Sequence, residues 1–110
     1  MRATDSPGDR PIDHWCALAY LSDDVPSEAV LLARPSASFN IDNPHDGVFT
    51  ASLDHTIWFH RQLRADEWHL YDMSCLSFIA GRGLSFGYVF TADGTHVATV
   101  AQEVLVRESQ

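Results

Sequence analysis

The chain has 110 residues, enough for one compact domain with its own core, and its formal net charge of −8 disfavours nucleic acid as a partner, because phosphate binding calls for a basic face. Apolar residues make up 45% and aromatic residues 11%, yet no run of about 18 apolar residues is present that would read as a membrane span. Met1–Asp5 has no apolar stretch behind it of the secretory-signal kind, so a cytoplasmic location is expected.

Pro11 to Asp23 reads as a helix. Ile12, Trp15, Cys16, Ala19 and Tyr20 follow the i, i+3, i+4, i+7, i+8 spacing and are expected to form its buried face. Pro11 suits the first helical position, and Asp9 and Asp13 suit the helix dipole. Val25–Glu28 breaks this helix and starts a shorter one through Ala29–Leu32. Pro35 to Gly47, rich in Pro, Ser, Asn and Asp, reads as an irregular loop. The second half reads as β structure: Val48 to Arg61 as one long strand, His69 to Phe78 as another, and Leu84 to Thr91 as a third. In the third, Leu84, Phe86, Tyr88 and Phe90 share one face, with Ser85, Gly87, Val89 and Thr91 on the other. Asp93–Gly94 signals a tight hairpin leading into a return strand, His96 to Arg107. A helix followed by long antiparallel strands predicts an α+β fold with the helix packed on one face of the sheet. Cys16 and Cys75 have no metal-ligand spacing and read as two buried, reduced thiols.

Chemistry concentrates in Ser52–Arg61 and Arg64–Trp68. Two histidines, aspartates, arginines and aromatics crowd a segment that otherwise reads as a strand, and such groups are costly to bury unless paired. The segment is therefore a candidate wall of a binding site. All seven basic residues are arginine, and Arg61, Arg64 and Arg82 are candidates for holding an anionic group. His55 and His60 are five apart and point to opposite faces of a regular strand, so one metal cannot easily take both; no metal is expected. A Ser52–His55–Asp54 triad is disfavoured for the same reason, and no nucleophile elbow is present. Gly81–Arg82–Gly83 is too short to mark a phosphate loop. Asp23 lies at a helix end, and Gln102 sits inside the apolar run Val97–Ala101, where its amide must find partners.

Four segments in register resemble the C-terminal half of the acyl-CoA thioesterase II, TesB-like family. They are Ala19–Asp23; Ala51–His55 with Trp58–Arg61; Arg64–Trp68 with Leu70–Tyr71; and Val97–Glu103. Gly81–Leu84 fits the same pattern. The resemblance implies a single hotdog domain over residues 1–110, a long central helix wrapped by an antiparallel sheet, and hydrolysis of fatty acyl-CoA to free acid and CoA. It implies a catalytic set of Asp23, Ser52 and Gln102 that activates one water. Arg61, Arg64, Arg82, Trp58 and His60 are the substrate-binding candidates. No cofactor is expected, CoA being part of the substrate. Gln62–Leu63 stands where the family usually has Pro-Phe, Met73–Ile79 is bulkier than its counterpart, and Val104 replaces a glycine; these changes bear on the shape of the acyl pocket. A lone hotdog leaves an open sheet edge, so a homodimer or pairing with a second hotdog is expected. The rival readings are a non-catalytic acyl-CoA-binding module, or a partner half in a heterodimer. A hydratase is disfavoured, since Asp42–His45 only echoes a hydratase motif.

Overall fold

The computed structural model describes residues 1–33 and 48–108, so both the expected loop at 35–47 and the Asp42–His45 echo lie outside the described residues. Its elements in chain order are α1 (Pro11–Leu21), α2 (Asp24–Ala33), β1 (Val48–Ser52), β2 (Thr56–Phe59), β3 (His69–Ile79), β4 (Arg82–Thr91) and β5 (His96–Glu108). All strands pair antiparallel in one sheet. The order is β1–β5–β4–β3, and β2 also pairs with the long β5. α2 packs on β3, β4 and β5.

The helices separate at Ser22–Asp23, earlier than the expected break at Val25–Glu28, which instead lies inside α2. Pro26 lies in the first turn of α2, where its missing N–H costs nothing; in a continuous helix it would have to bond the carbonyl of Ser22 and would clash with it. The chain therefore turns at Ser22 and Asp23. Ser22 ends α1 by donating its N–H to Leu18 O at 2.9 Å, and its hydroxyl oxygen lies 3.1 Å from Ala19 O.

The buried face of α1 differs from the expected one. His14, Leu18 and Ser22, at i, i+4 and i+8, are buried, Trp15 and Ala19 are half-buried, and Cys16 and Tyr20 face outward, Tyr20 being 84% exposed. His14 turns inward because its ring is satisfied on both sides. Ala65 N–H donates to Nδ1 at 3.0 Å, so Nε2 carries the hydrogen and donates to Gly8 O at 2.9 Å. The expectation of two buried thiols is likewise corrected: Cys16 is exposed, and Cys75 is only partly covered.

The alternating face of β4 packs small side inward. Gly83, Ser85, Gly87 and Val89 are buried, while Leu84 and Tyr88 are exposed on the outer face and Phe86 and Phe90 are half-buried there. A Cβ on Gly83 would stand 2.4 Å from Val30 Cγ1, so the missing side chain lets α2 lie directly on the sheet. The hairpin expected to be tight, at Asp93–Gly94, is the wider of two. Ala80–Gly81 forms the tight two-residue turn, with φ of 54° and 70°, whereas at Asp93–Gly94 only Gly94 has a positive φ (86°) and the turn is wider, closed by Thr91 N–H to Thr95 O at 3.0 Å.

The expected continuous strand Val48–Arg61 is two strands. Ser52 opposes Val104 and Thr56 opposes Ala101, so four steps on one side face three on β5. One extra residue is thus inserted between β1 and β2, as in a β-bulge, and the inward and outward faces exchange.

Candidate active site

Gln102 lies in the inward row of β5, Ala98–Val100–Gln102–Val104–Val106, and is 0% exposed. Below it Ala98 and Val100 belong to a core with Leu18, Leu63, Ala65, Val89 and Val97; above it Val104 and Val106 belong to a second core with Val30 and Leu31. A buried amide between two apolar clusters requires partners, and it has them. Its Nε2 donates to Ser52 Oγ at 2.5 Å, and Ser52 Oγ donates to Asp23 Oδ1 at 3.0 Å. Asp23, Ser52 and Gln102 come from the α1–α2 turn, the end of β1 and the middle of β5, and they form one hydrogen-bonded chain. Asp23 and Ser52 are exposed at its outer end, and an open cleft of ≈ 420 Å³ beside them is lined by Ala19, Tyr20, Leu21, Asp23 and His55.

The extra residue after Ser52 supplies the remaining contacts. Asp54 turns to β5, where its Oδ1 accepts the Glu103 N–H at 2.8 Å, while Leu53 N–H donates to Glu103 O at 2.9 Å. His55 turns the other way, with Nδ1 2.6 Å from Gln102 Oε1 and Nε2 2.9 Å from Ser22 Oγ. Face counting on a regular strand set His55 opposite to Ser52; with the strand interrupted, both reach Gln102. His55 is thus a member of the cluster that sequence reasoning did not place there, because the interruption of the strand was not read from the sequence.

The other candidates are not gathered with these three. Arg64 pairs with Asp66 at 2.9 Å and Arg82 with Glu103 at 3.2 Å. Arg61 donates to His96 O at 2.5 Å. Trp58 opposes Thr99 on the outer face, 48% exposed. His60 Nε2 lies 2.8 Å from Thr99 Oγ1, with its ring 4.7 Å from that of His96 in an outer-face cluster that includes Tyr88 and Phe90. His69 and Tyr71 of β3 lie apart from the site. Burial holds the His69 imidazole below its ordinary range and pushes the Tyr71 hydroxyl up to about 12; His69 Nε2 and Tyr71 Oη have no partner among the described residues.

A helix laid on one face of an antiparallel sheet, with a polar cluster where the chain turns into that helix, fits a hotdog domain. Comparison with known proteins agrees. The profile of the family described as "Acyl-CoA thioesterase C-terminal domain" matches residues 1–106, and the chain belongs to that family. It is 36% identical to acyl-CoA thioesterase 2 of Haemophilus influenzae over 94% of its own length and 35% of that protein's. It is 41% identical to mouse acyl-coenzyme A thioesterase 8 over 86% of its length and 27% of the relative's. Among solved structures it resembles the acyl-CoA thioesterase II TesB2 of Mycobacterium marinum, with a TM-score of 0.81 and 40% identity, covering 99% of this chain and 40% of that one. The chain thus spans about a third of the relatives it matches.

Proposed function

We propose that this domain hydrolyses fatty acyl-CoA thioesters through a water activated by Asp23, Ser52 and Gln102. The observation that carries this reading is the convergence of a carboxylate, a hydroxyl and an amide, from three separate segments, in one hydrogen-bonded chain whose outer member, Asp23, lines an open cleft. The Asp23 carboxylate takes the proton as the water oxygen attacks the thioester carbon. Gln102 spends one N–H on Ser52 and has a second for the water or for the developing oxyanion. Collapse of the tetrahedral intermediate breaks the C–S bond, and the CoA thiolate leaves and takes up a proton. Holding the water in place supplies much of the rate gain, and no covalent enzyme intermediate is needed.

The same reading includes a second hotdog as partner, either another copy of this chain or a separate domain. β3 is an edge strand of eleven residues with Leu70, Leu76 and Ile79 exposed, and α1 presents Ile12, Cys16 and Tyr20 outward. Measuring CoA release from saturated acyl-CoA substrates of graded length tests the activity, and light scattering in the same buffer tests the assembly. Tight acyl-CoA binding without CoA release would favour the non-catalytic module instead.

A further inference from the structure

We infer that His55 is a positioning residue that sets which way the Gln102 amide faces, and so the direction of the whole hydrogen-bond chain. The argument rests on donor and acceptor accounting. Gln102 Oε1 can only accept, so its 2.6 Å contact with His55 is a hydrogen bond only if Nδ1 carries a hydrogen. At the other nitrogen, Ser22 Oγ has a single proton and two neighbours, Ala19 O at 3.1 Å and His55 Nε2 at 2.9 Å. If that proton goes to Nε2, the ring is neutral with its hydrogen on Nδ1. If it goes to Ala19 O, Nε2 must itself donate to Ser22, and the ring is an imidazolium with hydrogen on both nitrogens. Ser52 gives its only proton to the Asp23 carboxylate and so receives from Gln102 Nε2, which leaves Oε1 facing His55; with Oε1 there, both assignments put a hydrogen on Nδ1.

That hydrogen pins Oε1 toward His55 and turns the amide nitrogen toward Ser52. Ser52 Oγ, receiving from Gln102, directs its own proton to Asp23. With the amide reversed, Oε1 would compete with Asp23 for the Ser52 proton, and no amide hydrogen would face the reacting atoms. Asp54 holds the loop in place by clasping the Glu103 N–H, so consecutive residues fix the main chain and the side chain of neighbouring positions on β5. His55 touches no reacting atom in this scheme and acts through Gln102 alone.

The test has a kinetic arm, which rests on the hydrolytic reading, and an arm that does not. In the full chain, His55→Leu should lower kcat about 10- to 100-fold, the scale of partners that orient a site residue, with little change in KM. His55→Asn, whose amide N–H reaches the place of Nδ1–H, should recover most of that rate. In a Gln102→Ala background His55→Leu should cost no more than about twofold further, since the residue it orients is gone. An undiminished loss in that background would overturn the inference, because a merely structural role would persist. The independent arm is ¹⁵N NMR of the parent's imidazole nitrogens, which should show Nδ1 protonated; a neutral ring with its hydrogen on Nε2 would overturn the inference whether or not the chain is an enzyme. A parent that shows Nδ1–H but releases no CoA would sink the hydrolytic reading and leave His55 as the orienter of Gln102. Should the leucine variant fail to fold, the asparagine variant and the NMR measurement decide.

Discussion

Asp23→Asn is the most direct probe of the proposed chemistry. The substitution keeps the size of the side chain and an oxygen able to accept from Ser52, whose hydroxyl lies 3.0 Å from Oδ1, so the cluster keeps its shape. What is lost is the charge and the ability to take a proton. A hydrogen bond to a charged acceptor contributes about 1.5–3 kcal/mol against about 0.5–1.5 kcal/mol for a neutral one, so the tie to Ser52 weakens by roughly 1 kcal/mol. Loss of the base itself should cost at least about 10²-fold in kcat, equivalent to about 2.7 kcal/mol of barrier. Asp23 and Ser52 are both exposed, so water takes up most of that weakened bond and thermal stability should fall by no more than about 1 kcal/mol. The assay should follow the ultraviolet absorbance of the thioester itself rather than a disulfide chromogen, because the exposed Cys16 thiol would react with the chromogen. A variant as fast as an active parent would refute the assignment of Asp23.

Gln102→Ala should slow turnover more than Ser52→Ala, since water can stand in for an exposed hydroxyl, and it should also lower Tm, because a buried amide with two partners is removed at a cost of about 1–3 kcal/mol. Gly83→Ala should destabilise by about 1–3 kcal/mol through the 2.4 Å clash with Val30, and Val30→Ala in the same chain should recover part of the loss; chemical denaturation of the single and double variants measures the coupling. The Tyr71 hydroxyl is held neutral up to about 12, against an ordinary value of 10.0, so its contribution is intact below pH 10 and is lost as pH rises towards 12, by at most about 2–3 kcal/mol. Tyr71→Phe should remove that alkaline loss and, by deleting a buried hydroxyl without a partner, should leave Tm at neutral pH unchanged or higher. His69 has the opposite sense: its pKa is lowered by burial, so its contribution is present above the ordinary value of 6.5 and is lost as the solution is acidified below it, which urea titrations at graded pH would detect.

Residue order alone determined the kinds of element and much of their extent. A helix break near Pro26, the three long strands of the second half and the alternation along β4 all follow from local rules that need no partner, and the motifs around Asp23, Ser52 and Gln102 were enough to indicate a family. Three things were decided only by tertiary structure. The buried face of α1 passes through His14 because Gly8 and Ala65 supply its hydrogen bonds, and neither contact has any trace in a helical apolar pattern. The inward face of β4 is its small one because α2 has to approach the sheet at Gly83. Most consequential, the strand expected over Val48–Arg61 carries one more residue than the stretch of β5 opposite it. Alternation predicts facing only while both strands keep step. The extra residue can be counted only against a partner some fifty positions away, and it is what brings Ser52 and His55 together on Gln102.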